Sequence, residues 1–271
     1  MGTFVHIKAV GAKPGLLRRT ILHMQRFEMV FSRFEPTSNL SLLNKNGVLR
    51  KPDRPFLDLL NEIQIAHRET EGTFDPTILP VLLHLERSRR PLYHAEMEAY
   101  LKTTGFEKVA IYNDIVYLTD RRMMLTLDGI AKGSIVDVGV EFLRANGCTE
   151  ALVNAGGDIY CGRKAGGWKV GIYDPLADGL SRTVTLQAMS ICTSGSYVNY
   201  YTADKRLHHL IDPRTLTCPS DLVSATVTAS TTARADMLST ALFIAGAKGK
   251  RFLRPGEKAD LITRSGKKIV C

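Results

Sequence analysis

Three stretches carry side chains whose types and spacing could do chemistry. In Asp128-Gly129-Ile130-Ala131-Lys132-Gly133-Ser134, glycines let the backbone approach a ligand and a lysine supplies a cation. The loop opens a helical pattern with apolar residues at Ile135, Val136, Val140, Phe142 and Leu143. The first N–H groups of such a helix are free donors with the positive dipole end behind them, which suits a phosphate. Asn154-Ala155-Gly156-Gly157-Asp158 places a second glycine loop after the apolar run Ala151-Leu152-Val153. Neither loop is G-x-x-x-x-G-K-[ST] or G-x-G-x-x-G, so two tight turns in an α/β unit explain them about as well.

Asp236, Ser239 and Thr240 fall at helical spacings of three and four within a helix predicted over residues 233–245. A carboxylate with hydroxyls on one face suits a hard cation such as Mg²⁺. Taken alone, capping accounts more simply for Asp and Thr near a helix start. His208 and His209 are adjacent. In a strand their rings would point to opposite faces and could not ligate one ion together, leaving one for ligand contact and the other for structure.

The elements that must position these groups follow from pattern. Phe4 to Ala9 alternates as a half-buried strand, and Pro14 begins a helix with Leu17, Ile21, Met24 and Phe31 on one side. After it, the turn-rich stretch Phe31 to Asn44 surrounds a single aromatic, Phe34, which is either a core plug or a stacking platform for a flat ligand. Residues 55–69 form a second helix, and residues 73–80 read as extended and pinned by Pro76 and Pro80. A poor helix at 94–104 precedes a hairpin over 108–118. A short apolar strand is expected at 125–127, and Asn146-Gly147 stops the helix after it. Strands are expected at 168–173, 183–186, 188–192 and 223–229, with a polar glycine turn at 193–197 and an edge hairpin over 259–270.

A chain of 271 residues can bury a sizeable core, as one large domain or two lobes. Its net charge of +9 favours an anionic ligand or partner. The basic residues are scattered and do not alternate with aromatics, which argues against nucleic acid. Five dispersed cysteines without a C-x-x-C pair point to a reducing compartment. No run approaches the ~20 apolar residues of a membrane span, and no signal region precedes the first strand, so a cytoplasmic location is expected.

Together these pieces resemble the ApbE family of flavin transferases. The ordered set is MGT, FSRF-x-P-x-S-x-L-S-x-L-N, G-T-F-D-P-T, G-I-A-K-G, N-A-G-G-D-I, T-S-G-S-Y, H-H-L-I-D-P-R-T and A-D-x-x-x-T-A. Any one of these is weak, but their order from Met1 to about Gly246 is specific. The resemblance implies an α+β fold in one domain over 1–271, mainly antiparallel sheets flanked by helices, with FAD in the cleft between two closely joined lobes. It implies Mg²⁺-dependent transfer of FMN from FAD to a Thr or Ser hydroxyl of an acceptor protein, with release of AMP. The alternatives within the same site are an FAD-binding or storage protein without transfer, and an FAD hydrolase giving FMN and AMP. Position by position it implies FAD contacts at Met1, Phe34, Thr73, Phe74, Asp75, Thr126, Lys132 and Ile211. It implies Mg²⁺ ligands at Gly129 (through its carbonyl), Asp236, Ser239 and Thr240, and His209 and Asp236 as candidate general bases.

The chain departs from the family pattern at three places. Thr126 stands where the family has aspartate, Asp128 where it has glycine, and Leu216 where glycine follows H-x-I-D-P-x-T. Two readings of Asp128 stand open: a carboxylate on the metal side of the site, or a charge that weakens FAD binding.

Overall fold

The alternating stretches pair into antiparallel sheets, and the helical stretches close over the largest of them. The computed structural model describes residues 3–271, so Met1 lies outside the described residues. The strands are β1 (Val5–Ala9), β2 (Val48–Arg50), β3 (Val109–Tyr112), β4 (Ile115–Leu118), β5 (Ala151–Ala155), β6 (Asp158–Cys161), β7 (Trp168–Asp174), β8 (Gly179–Leu186), β9 (Met189–Gly195), β10 (Leu222–Ala229), β11 (Lys258–Thr263) and β12 (Lys268–Val270). The helices are α1 (Leu16–Phe31), α2 (Asn39–Asn46), α3 (Arg54–Glu69), α4 (Leu79–Ser88), α5 (His94–Leu101), α6 (Ala131–Ala145) and α7 (Thr232–Ala245).

A seven-stranded sheet runs β1-β5-β6-β9-β10-β11-β12, with every neighbouring pair antiparallel. Two smaller sheets, β2-β4-β3 and the β7-β8 hairpin, complete the α+β arrangement. Helix α6 packs on β5 and β6, α7 packs on β9 and β10, and α1 packs on α6. The main core gathers Leu16, Met24, Phe56, Leu60, Val136, Leu143 and Phe243. The seven-residue core around α4 includes Leu79, Leu82, Ile211 and Leu216.

Three local expectations change. Residues 73–80 are not extended throughout: a 3-10 turn at Pro76–Ile78 runs into α4. Proline in the first turn of a helix lacks only an N–H that would have no partner anyway, so Pro76 and Pro80 are accommodated at helix starts here rather than blocking them. Asp75 caps the turn, accepting from Thr77 N–H at 2.8 Å. Leu125 to Leu127 is not a strand. The side-chain amide of Asn44 takes the place of a partner strand, accepting from Leu125 N–H at 2.7 Å and donating to its carbonyl at 2.8 Å. The predicted turn at 193–197 begins three residues late, because β9 stays paired with β10 as far as Gly195.

The helices α6 and α7 cross at their first turns. A Cβ on Gly133 would lie 2.4 Å from the Thr232 carbonyl oxygen and 2.8 Å from the Ala233 Cα. Each helix caps the other. Thr232 and Ala233 N–H donate to the two oxygens of Asp137 at 2.8 Å each, and Gly133 N–H donates to Asp236 Oδ2 at 3.2 Å. Eleven of the fourteen residues of α7 are buried, so it is a core helix and its position is set on all sides.

Main-chain atoms cannot rotate away as a side chain can, so Gly133→Ala forces the crossing apart. The expected cost is about 3 kcal/mol of stability, read from the urea unfolding midpoint. A midpoint close to that of the parent chain would show that the two helices separate cheaply.

Candidate functional site

A cleft of ≈ 1240 Å³ opens between the N-terminal end of α6, the 73–76 segment, β9 and the 197–201 and 209–211 segments. It exceeds the ~300–1,000 Å³ of an ordinary small-ligand pocket and has room for a dinucleotide. Phe34, Thr73, Phe74, Asp75, Thr126, Gly129, Lys132, His209, Ile211, Asp236 and Thr240 all line it. Residues predicted from stretches far apart in the chain therefore meet in one place. Ser239 is the exception. It is fully buried behind the cleft wall, where its hydroxyl donates to the Asp236 carbonyl at 2.8 Å and bonds Ser194 Oγ at 2.7 Å.

The floor is electrostatic. Lys132 reaches Asp158 Oδ2 at 2.5 Å, and Asp158 is buried at the first position of β6. Burial alone would pull the Lys132 ammonium down, but Asp236 and Asp158 outweigh it and hold the lysine well above its ordinary value. Burial, reinforced by Asp158, pushes the Asp236 carboxyl well up, against the pull of Lys132 and of Gly133 N–H. Two buried carboxyls thus share one ammonium, with Asp236 held towards its protonated form, and a cation taking the place of that proton would ionise it.

The donor set fits Mg²⁺. A carboxylate (Asp236), a hydroxyl (Thr240) and a backbone carbonyl (Gly129) are all hard oxygens. The Gly129 backbone lies against the hydroxyl, since a Cβ there would sit 3.2 Å from Thr240 Oγ1 and 3.2 Å from the Phe74 ring. Any side chain at 129 would fill that space.

The Thr73-Phe74-Asp75 segment is fixed from behind. Asp75 accepts from Thr77 N–H and Oγ1 on one oxygen, and from Phe106 N–H and His67 Nε2 on the other, at 2.6–3.1 Å. Its carboxylate organises the loop, and the hydrogen bond to it raises the His67 pKa. Phe74 N–H donates to Thr70 Oγ1, and the fully buried Thr73 hydroxyl has no protein partner. Thr126 joins this segment to the α6 loop: its N–H donates to the Pro76 carbonyl at 2.8 Å and its hydroxyl accepts from Asp128 N–H at 3.2 Å.

The second glycine loop is a hairpin turn. Gly156 and Gly157 have φ of 62° and 101° between paired Ala155 and Asp158, a two-residue connection that needs positive φ at both positions. The turn borders the cleft, but its chemical contribution is Asp158. Asp158 and Arg33 were not singled out from the sequence. Asp158 sits at the end of the N-A-G-G-D motif, where an acid opening a strand was the available signal. Arg33 carries none apart from its neighbour Phe34.

The two histidines part company, although 207–215 forms only isolated bridges and no strand. His208 is fully buried. Its Nδ1 accepts from Leu210 N–H at 3.3 Å, so Nε2 carries the proton and donates to the Pro219 carbonyl at 3.1 Å. His209 donates from Nδ1 to the Asn199 carbonyl at 3.0 Å, leaving Nε2 as the acceptor in a ring that lines the cleft. Burial lowers its pKa below the ordinary histidine value. Leu216 adopts φ of 55°, the left-handed backbone for which glycine is usual, and buries its side chain in the α4 core.

Comparison with known proteins gives one answer. A model of the ApbE family matches residues 1–262. The FAD:protein FMN transferase of Klebsiella pneumoniae is 29% identical, covering 97% of this chain and 86% of the relative. That of Escherichia coli K12 is 30% identical, covering 98% and 83%. Among solved structures, the ApbE protein of Thermotoga maritima superposes with a TM-score of 0.88 at 26% identity, covering 99% of this chain and 93% of that one.

Burial pushes the His208 pKa down to about 4. The unfolded chain takes up this proton near pH 6.5 and the folded chain does not, so stability is lost as pH falls from about 6.5 towards 4, by about 3 kcal/mol. Urea midpoints measured across that range should show the slope, and His208→Gln should flatten it. An unchanged slope in the variant would mean that His208 is not the group that titrates.

Proposed function

The chain belongs to the ApbE family, and on that premise we propose that it transfers FMN from FAD to a Thr or Ser hydroxyl of an acceptor protein, with Mg²⁺ bound and AMP released. The supporting observation is the floor of the cleft, where Lys132, Asp158, Asp236, Thr240 and the Gly129 backbone assemble from three separate stretches. Transfer of a phosphoryl-type group asks the protein chiefly for alignment and charge neutralisation, and this floor offers both.

FAD lies along the cleft with its pyrophosphate over the floor and its flavin towards Phe34. The acceptor oxygen bonds to the phosphorus on the riboflavin side, the bond from that phosphorus to the bridging oxygen breaks, and AMP leaves with the electron pair. The hydroxyl proton passes to His209 Nε2, the acceptor its Asn199 contact leaves free. Asp236, Thr240 and the Gly129 carbonyl would hold Mg²⁺, which would supply positive charge to neutralise the phosphates. Lys132 adds a fixed positive charge to the same face, kept protonated by Asp158 and Asp236. Among the described residues no helix is long and apolar enough to cross a membrane.

Incubation with FAD, Mg²⁺ and an acceptor domain should give an FMN adduct by mass spectrometry and an equal amount of AMP. Chelation or Asp236→Asn should remove both products. His209→Gly should lower turnover by about 10²–10⁴-fold with little change in FAD affinity. Because the His209 pKa is lowered, the rate should rise with pH and level off below about 6.5. AMP formed at the same rate without acceptor would identify a hydrolase instead.

A further inference from the structure

Arg33 and Asp128 lie 95 residues apart and meet at the cleft, Arg33 Nε donating to Asp128 Oδ2 at 2.9 Å. The same guanidinium stacks on Phe34, its Cζ 4.2 Å from the ring centroid. Phe34 itself is 74% exposed and lines the cleft. Its loop is pinned below the ring. Phe34 N–H donates to Ser32 Oγ, and the Ser38 and Ser41 hydroxyls both donate to the Ser32 carbonyl. Those bonds tie the loop at Ser32, and none of them holds the ring.

We propose that Arg33 is a positioning residue that covers one face of Phe34 and presents the other to the flavin, and that Asp128, in the turn before α6, is its anchor. The proposal rests on reading the cleft as an FAD site. A planar guanidinium lies flat on a ring and keeps edge donors for a carboxylate, so one side chain performs both tasks. The pair is too exposed, 21% and 54% at the two side chains, to add much stability, so its consequence is orientation. One oxygen of Asp128, Oδ2, is thus taken by Arg33, and its charge faces a guanidinium. The glycine usual at this position in the family would leave Arg33 without that anchor.

The test uses the full chain and its Arg33→Met, Arg33→Lys, Asp128→Asn and double Arg33→Met/Asp128→Asn variants. Each is titrated with FAD without acceptor, following flavin fluorescence and the flavin absorption band. Hydrogen exchange of residues 32–38 is measured without FAD. Each of Arg33→Met and Asp128→Asn should weaken FAD binding by about 10-fold, blunt the shift of the absorption band and speed exchange at 32–38. The double variant should be no worse than either single one, and Arg33→Lys, which keeps the charge but not the plane, should fall between. Tighter FAD binding in Asp128→Asn would overturn the proposal, because it would show Asp128 acting as a repelling charge. Unchanged binding with an unchanged absorption band would overturn it as well. If the parent chain takes up no FAD, the FAD reading fails, and exchange at 32–38 still decides whether Asp128 anchors Arg33.

Discussion

Where α6 and α7 cross, main chain meets main chain, because Gly133 has no side chain to hold the Thr232 carbonyl away. The first turn of each helix is then within reach of an acid on the second turn of the other. Asp137 caps α7, and Asp236 accepts from α6. A wider crossing would undo the caps, and with them the site. It is this contact that places Asp236 beside the helix carrying Lys132 and brings Thr240 against the Gly129 backbone.

From that crossing follows a buried acid held towards its neutral form. Lys132 can satisfy Asp158 or Asp236 but not fully both, and burial denies either acid the help of water. The protein tolerates the strain because the two helices and the buried strands around them leave the groups nowhere to move. A site fixed in this way would receive a cation and an anionic ligand with little reorganisation, as electrostatic catalysis requires.

The walls of the cleft depend on loops that borrow their rigidity. Asp75 holds four donors from three segments, so Thr73 and Phe74 are fixed without regular structure of their own. Thr126 fastens that segment to the α6 entrance. Asn44 completes the backbone of Leu125 from across the fold. Phe34 stands clear of this network, with Arg33 stacked on it.

Periodicity alone was enough for most elements. The apolar stripes of α1, α3 and α6 and the alternation of β1, β7 and β10 are local properties, because side-chain direction repeats along the chain. The ordered motifs likewise named the family, and with it Lys132, Asp236 and Thr240. What pattern could not carry is any feature whose partner is distant in sequence. The prolines of 73–80 read as breakers until their places at helix starts were known, and Leu125 lacked a strand partner because a side chain does that work. Ser239 shares its helical spacing with the cleft residues, yet packing turned it towards Ser194. The pairings of Asp158 with Lys132 and of Arg33 with Asp128 bridge 26 and 95 residues. Residue types and local periods are written in the sequence. Which charges share one small volume is decided only when the helices cross and the sheet closes, since Coulomb attraction and close packing act through space and not along the chain.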